Sequence, residues 1–218
     1  MLQKHALGFL RQLAVNNNRP WFEAHREDYE TAKTEFEHLI THMLQLMSVL
    51  EPALAGQRAK DCIFRVYRDV RFSKDKTPYK SHFSAYFSKN GKKDEGAGYY
   101  LHLEPGKSFA AGGIWMPGAP VLKAVRQEID YNYEEFASLL AGKEFRKRFR
   151  QLEGERLKTA PKGYSPDNPA IGYLTMKSFI ASHPFEDREV AGKNFPAICF
   201  ETFSAMAPLI AFLNRSLD

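Results

Sequence analysis

Two spacings of apolar residues divide the chain into regions. Over the first fifty residues, apolar side chains recur every three or four positions. This spacing predicts a short helix over residues 3–15 and a longer helix from about Pro20 to Pro52. Asn18 is a candidate N-cap for the longer helix, because the fixed φ of Pro20 suits the first helical turn.

The spacing changes to two between residues 61 and 117. Four segments there are bounded by turn residues and are predicted to be strands: CIFRVYRD, SHFSAYFS, GYYLHLEP and KSFAAGGIWMP. In the first segment, Phe64 and Val66 fall on one face, and Arg65 and Tyr67 fall on the other. Short connections containing Gly, Pro and Asn predict a largely antiparallel β-meander.

Helical spacing returns after Pro120. Asn132 and Glu135 have the spacing of a capping box, for a helix that closes at Gly142. The segment YLTMKSFIAS predicts a short helix followed by a strand. A last helix is expected from about Pro196 to Leu217.

Together these elements predict an α+β fold. It consists of a mostly antiparallel β-meander of about four to six strands, packed against N- and C-terminal helices. One domain is expected over residues 1–218. Its parts are a helical region (1–52), a β-rich region (61–117) and a region of helices, a loop and a short strand (118–218).

Composition favours a globular protein, and the cysteines favour a cytoplasmic one. Hydrophobic residues make up 44% of the chain, which argues against disorder. Cys62 and Cys199 lack metal-ligand spacing and are expected to be reduced core thiols. Arg11 and Gln12 interrupt the apolar core that a signal peptide needs, and no apolar run approaches the roughly 20 residues of a membrane span. No membrane partner is therefore expected.

Positive charge is concentrated in two segments, although the net charge is only +5. One is KEFRKRFR (143–150), which is predicted to be a solvated helical face. The other is the basic loop, defined here as residues 65–80, with six cations and two carboxylates. The candidate ligand-binding residues in it are Arg65, Tyr67, Arg68, Arg71, Lys74, Lys76, Tyr79 and Lys80.

Two interpretations of the basic loop are about equally favoured. In the first, guanidinium and ammonium groups converge on a small anion, and Asp69 and Asp75 orient the arginines. In the second, the loop is a surface segment held by its own Arg–Asp pairs. The apolar side chains in the loop are expected to be buried, which would hold the charges in place: Val66, Tyr67, Val70, Phe72 and Tyr79.

His82 and His102 extend the candidate site onto the predicted sheet. His82 shares a face of its strand with Tyr86, and His102 shares one with Tyr100 and Glu104. If these faces coincide with the face of Arg65 and Tyr67, a polar site results. The strand register that would decide this is not readable from sequence.

Gly112 and Gly113 are adjacent in a predicted strand, so another group must come close to the backbone there. Tight packing is the commoner cause, and approach of a ligand is the alternative. Trp115 and Met116 follow and are expected to lie in the core.

No metal site or cofactor is expected. Glu35, His38 and His42 form an E-x-x-H-x-x-x-H pattern, but no second E-x-x-H completes a di-metal bundle, and a solvated helix flank is favoured. Walker, G-x-S-x-G and strand-associated G-x-G-x-x-G motifs are absent from the sequence.

The ordered motifs FRVYRDVRFSKDKTPYKSHF, GYYLHLEP, GGIWMP and PKGY, together with NNNRPWF near the N-terminus, resemble the microbial domain of unknown function 2461 family. The resemblance covers nearly the whole chain. It implies a compact, cytoplasmic α+β domain and no established activity, cofactor or catalytic residue. The resemblance implies that the characteristic family positions include Arg65, Tyr67, Arg68, Asp69, Arg71, Lys74, Asp75, Lys76, Tyr79 and Lys80.

Three functions follow as hypotheses. The favoured one is binding of a small phosphate- or carboxylate-bearing ligand, with catalysis left open. The second is a structural or interaction module whose charges are paired internally. The third is a weak nucleic-acid binder, which the modest net charge and the intermixed acids make less favoured.

Overall fold

Residues 4–217 are described by a computed structural model. Ten α-helices lie within this part of the chain. They are α1 (Lys4–Val15), α2 (Arg19–Ala24), α3 (Arg26–Met47), α4 (Ala59–Cys62), α5 (Ala119–Tyr131), α6 (Tyr133–Ala141), α7 (Lys143–Arg148), α8 (Ile171–Leu174), α9 (Asp187–Val190) and α10 (Phe195–Arg215). Position 3 of the predicted first helix, and positions 1, 2 and 218 of the predicted domain, lie outside the described residues.

The predicted helix from Pro20 to Pro52 is wrong at one point, because His25 interrupts it. The Asn18 side chain caps α2 as predicted, with its Oδ1 accepting from the Trp21 N–H at 3.0 Å. His25 then leaves the helical conformation, with φ −114° and ψ 30°, and its ring stacks on Trp21 at 4.1 Å. The stack and a 2.9 Å contact from His25 Nδ1 to the Trp21 carbonyl stabilise the break.

Four strands form one antiparallel sheet in the order β1-β2-β3-β4, which confirms the α+β fold. They are β1 (Phe83–Phe87), β2 (Gly98–Leu103), β3 (Ser108–Ile114) and β4 (Phe179–Phe185). The last of these, with the preceding α8, confirms the helix and strand predicted from YLTMKSFIAS.

The first predicted strand, CIFRVYRD, is wrong as a regular strand. Only two isolated antiparallel bridges form there, Ile63 to Ala85 and Tyr67 to Tyr79. Between these bridges three residues (64–66) face five (80–84), and this bulge prevents a continuous ladder. The segment still covers the outer edge of β1, which would otherwise offer unpaired backbone groups.

The capping box predicted at Asn132 and Glu135 is also wrong, although α6 and its closure at Gly142 are present. The Asn132 amide donates to Glu128 Oε1 of α5 at 2.9 Å, and so does not cap α6. Glu135 pairs with Arg215 of α10 instead, at 2.8 Å.

The chain divides into two compact units. Unit 1 contains the chain up to Phe87, with Tyr100–Ala110 and Pro184–Phe200. Unit 2 contains Ser88–Tyr99, Ala111–His183 and the chain from Glu201 onward. Each unit has buried aromatic side chains, and both cysteines are buried and not disulfide-bonded, as expected. The expectation of one domain stays a prediction.

One described helix, α10, is long and apolar enough to cross a membrane by length and composition alone. Half of its most apolar window is buried inside the protein, as is usual for a core helix.

Candidate functional site

The arginines in the middle of the basic loop are paired within the loop. Arg68 Nη1 donates to Asp75 and to Thr77 Oγ1, and Arg71 donates through Nε and Nη2 to Asp69 at 3.0 and 2.6 Å. The backbone N–H of Thr77 and the Arg68 guanidinium lower the pKa of Asp75 to about 2. The two aspartates thus orient the arginines, as both interpretations of the loop require.

The lysines of the loop differ in their surroundings. The Lys76 ammonium donates to the Val70 carbonyl at 3.0 Å, and Lys74 is exposed. Lys80 is half-buried, and burial together with the charge of Arg65 lowers its pKa. Within residues 4–217, neither Arg65 nor Lys80 forms an ion pair with a carboxylate within 4 Å, although the charge of Arg65 acts on Asp69.

Burial of the apolar residues in the loop agrees with the sequence only in part. Val66 and Tyr79 are buried as predicted, at 2% and 3% exposure. Phe72 is 95% exposed and Tyr67 is 41% exposed, so their predicted burial is wrong. Loop residues 69–77 contain no strand or helix to fold Phe72 back onto a hydrophobic surface.

Tyr67 and Tyr79 belong to an aromatic cluster with α2. The Tyr79 ring stacks on Phe22 at 3.9 Å, the Tyr67 ring contacts Phe22 at 5.9 Å, and Arg26 donates to the Tyr67 hydroxyl at 3.1 Å. None of these contacts joins Tyr67 to His82 or His102, the histidines whose strand faces could have coincided with its own. Phe64 is the residue of this segment whose ring reaches Tyr100, at 6.3 Å.

The side chain of Asn17 anchors the backbone at Tyr79. Its amide Nδ2 donates to the Tyr79 carbonyl at 2.9 Å, and its Oδ1 accepts from the Tyr79 N–H at 3.1 Å. This pair of bonds fixes the backbone immediately before Lys80.

We expect Asn17→Ala to lower the free energy of unfolding by about 1–3 kcal/mol, because it leaves two partly buried backbone groups unpaired. Asn16→Ala is the control, since Asn16 makes only an exposed bond to the Gln12 carbonyl. Urea unfolding of both variants measures the difference. Equal loss in the two variants would contradict the anchoring role.

A hydrogen-bonded row follows one face of β2, from Tyr100 through His102 to Glu104, which directly follows the strand. His102 Nδ1 lies 3.1 Å from the Tyr100 hydroxyl, and His102 Nε2 lies 3.1 Å from Glu104 Oε2. Burial lowers the pKa of His102. Burial acts in the opposite direction on Glu104, but the bond from His102 and the charge of Lys107 hold its pKa below the usual value. At neutral pH a neutral imidazole therefore bridges a phenol and a carboxylate.

His82 lies against this row. Its ring centre is 4.2 Å from that of His102, so the two predicted strand histidines do meet. Burial, followed by the charge of His102, lowers the pKa of His82 to about 4. Lys80 also contributes to the lowered pKa of both histidines, which places its charge beside them. We call Lys80, His82, Tyr100, His102 and Glu104 the polar face.

Two residues that the sequence analysis did not select support the polar face. Ser81 Oγ donates to Glu104 Oε1 at 3.2 Å, and the Phe109 ring of β3 stacks on His102 at 4.8 Å. For Phe109, the alternation of side chains along β3 is the sequence pattern that could have indicated the contact. For Ser81 no sequence pattern indicates the contact.

The polar face has two chemical capabilities. The Arg65 and Lys80 cations and the ring N–H of a neutral His82 can bind anionic oxygens. The row Tyr100–His102–Glu104 has the connectivity through which a proton moves between a hydroxyl and a carboxylate.

Gly112 and Gly113, which belong to unit 2, are surrounded by protein atoms. A Cβ at Gly112 would lie 2.7 Å from Met206 Sδ, and one at Gly113 would lie 1.8 Å from the Phe179 carbonyl oxygen. These contacts support tight packing, the first alternative given for this pair. Trp115 and Met116 are 71% and 64% exposed, so their predicted core position is wrong. β3 ends at Ile114, and Met116 follows with a φ of +44°.

His38 and His42 are exposed on α3, as predicted for a solvated flank. Glu35 accepts the Ala6 backbone N–H at 2.9 Å, so its carboxylate serves the contact between α1 and α3.

Comparison with known proteins identifies a family but no individual relative. No curated protein and no solved structure matches the chain. The family described as conserved hypothetical protein (DUF2461) matches over residues 5–212, which is nearly the full length. The chain belongs to the DUF2461 family.

Proposed function

We propose that this protein binds a small anionic ligand, carrying phosphate or carboxylate, through Arg65 and the polar face. The observation that supports this most is the pairing of charges around residues 65–80. Arg68 and Arg71 form ion pairs with Asp75 and Asp69, whereas Arg65 and Lys80 form none among the described residues, and Asp69, on which the charge of Arg65 acts, is paired with Arg71. Two neighbouring cations repel each other unless an anion lies between them.

The same pairing supports a structural role for the middle of the loop. Residues 68–77 are held by their own ion pairs, as the structural interpretation of the sequence expected. The anion site is accordingly proposed at the ends of the loop, where Lys80 lies beside the histidines and the charge of Arg65 acts on Lys80. Lys80 lies with its ammonium 5.5 Å from the centre of the Phe64 ring, which limits its freedom before a ligand binds.

The test is calorimetric titration of chelator-treated protein with inorganic phosphate, citrate and adenosine monophosphate at constant ionic strength. We expect at least one probe to bind, and Arg65→Ala/Lys80→Ala to weaken it by at least about tenfold, since charge-assisted hydrogen bonds are lost. Lys158→Ala/Lys162→Ala is the matched control. It removes the same charge from exposed lysines of unit 2 and should leave the affinity unchanged.

Two outcomes would contradict the proposal. One is the absence of binding by every probe. The other is an equal loss of affinity in both double variants, which would indicate a response to net charge alone. Steeply salt-dependent binding of a single-stranded oligonucleotide, without binding of any small probe, would favour the nucleic-acid hypothesis instead.

A further inference from the structure

We propose that His82, His102 and Glu104 form a binding site for one divalent transition-metal ion of the zinc class. The two imidazoles and the carboxylate each offer a ligand atom, and these atoms all lie within 4.8 Å of one another. His102 lies in β2, Glu104 directly follows β2, and His82 directly precedes β1, the neighbouring strand of the sheet. His102 and Glu104 are close in sequence, but His82 lies on a different segment, so no ligand spacing in the sequence revealed the set.

The existing contacts need little change to accommodate an ion. His102 Nε2 and Glu104 Oε2 are 3.1 Å apart. That separation suits two ligands that share an ion at about 2.0–2.2 Å each. The ion takes the place of the proton between these two atoms, and the single ring proton of the neutral His102 moves to Nδ1, because a ligating imidazole nitrogen must be unprotonated. His82 supplies the third ligand. No hydrogen bond between its side chain and another described residue has to be broken.

Outer contacts that orient metal ligands are already present. With the ion on His102 Nε2, the single ring proton lies on Nδ1 and can be donated to the Tyr100 hydroxyl, 3.1 Å away. Ser81 donates to Glu104 Oε1, and Phe109 stacks on the His102 ring. Such partners fix the tautomer and the orientation of a ligating histidine.

The donor set selects among cations. It offers one carboxylate, whose Oε1 lies 3.8 Å from the Lys107 ammonium. A single carboxylate is a poor site for Mg²⁺ and Ca²⁺, which bind mainly through several anionic oxygens. Two imidazole nitrogens instead favour zinc, cobalt and similar ions. This site goes beyond the proposed anion binding and is testable without any anion.

The experiment uses the full chain, stripped of metal with a chelator and then titrated with Zn²⁺ and Co²⁺ by calorimetry. We expect one ion per chain and a visible Co²⁺ absorption band. His82→Ala and Glu104→Gln, which change half-buried residues, are each expected to weaken binding by at least about 100-fold. Tyr100→Phe removes only an outer partner and should weaken binding by about tenfold.

His38→Ala/His42→Ala is the control for non-specific binding by surface histidines, and it should bind like the wild type. Arg65→Ala/Lys80→Ala should also retain metal binding, so failure of the metal proposal and failure of the anion proposal are distinguishable. The metal proposal is overturned if the stripped protein binds no Zn²⁺. It is equally overturned if folded His82→Ala and Glu104→Gln bind as tightly as the wild type, or if only the control variant loses binding.

Discussion

Gly113→Ala is expected to destabilise this protein by more than about 4 kcal/mol, or to prevent it from folding. The new Cβ would lie 1.8 Å from the Phe179 carbonyl oxygen and 2.9 Å from its carbonyl carbon. Both of those atoms belong to the backbone of β4, so no side-chain rotation relieves the overlap. The φ of +132° adds conformational strain for any residue with a Cβ.

A series of glycine variants separates the two contributions. Gly106→Ala has a φ of +73° and open space around the new Cβ, so it should cost only about 1 kcal/mol. At Gly112 the nearest atom is Met206 Sδ, the flexible part of a side chain, and about 1–3 kcal/mol is expected. Denaturant unfolding gives the order. A cost for Gly113→Ala no greater than that for Gly106→Ala would show that the strand pairing is looser than described.

Local periodicity predicted the main elements because it reports burial of one side of an element. The α1, α5 and α10 helices and strands β1 to β4 follow from such patterns. The break at His25 does not follow from the pattern. The His25 ring stacks on Trp21 and favours a break over a continuous helix, while the spacing of the apolar residues stays the same. The failure of CIFRVYRD as a strand has a similar origin. Its alternation is correct, but the bulge depends on how many residues the partner segment inserts.

The candidate site was predictable in composition but not in arrangement. The row Tyr100–His102–Glu104 follows directly from alternation within one strand. The meeting of His82 with His102 depends on register between strands, which sequence patterns leave open. Which of the loop cations form ion pairs depends on side-chain contacts. The alternation of charges along the sequence does not determine those contacts.

The scaffold of unit 1 ties the polar face to the N-terminal helices through one residue. Tyr79 directly precedes Lys80, its backbone is bound on both polar groups by Asn17, and its ring stacks on Phe22. The Lys80 N–H in turn donates to the Val66 carbonyl at 2.8 Å. The position of Lys80, the proposed anion-binding lysine, therefore depends on the contacts of Tyr79 with Asn17 and Phe22.

Phe22→Ala tests this dependence and is expected to cost about 3–5 kcal/mol of unfolding free energy. Phe22 is fully buried, and its ring contacts Tyr79, Tyr67 and Tyr29 at 3.9, 5.9 and 4.9 Å. Phe22→Leu keeps an apolar side chain of similar volume and should cost less than about 1.5 kcal/mol.

Amide hydrogen exchange distinguishes a local effect from a global one. In Phe22→Ala, protection of the Tyr79 and Lys80 amides should fall by more than the change in global stability explains, because both report the anchored segment. Phe136→Ala is the matched control, since Phe136 is also fully buried but contacts Tyr173 and Phe212 instead. It should cost a similar free energy without a selective loss at residues 79 and 80. A selective loss in both variants, or in neither, would contradict the proposal that Phe22 positions Lys80.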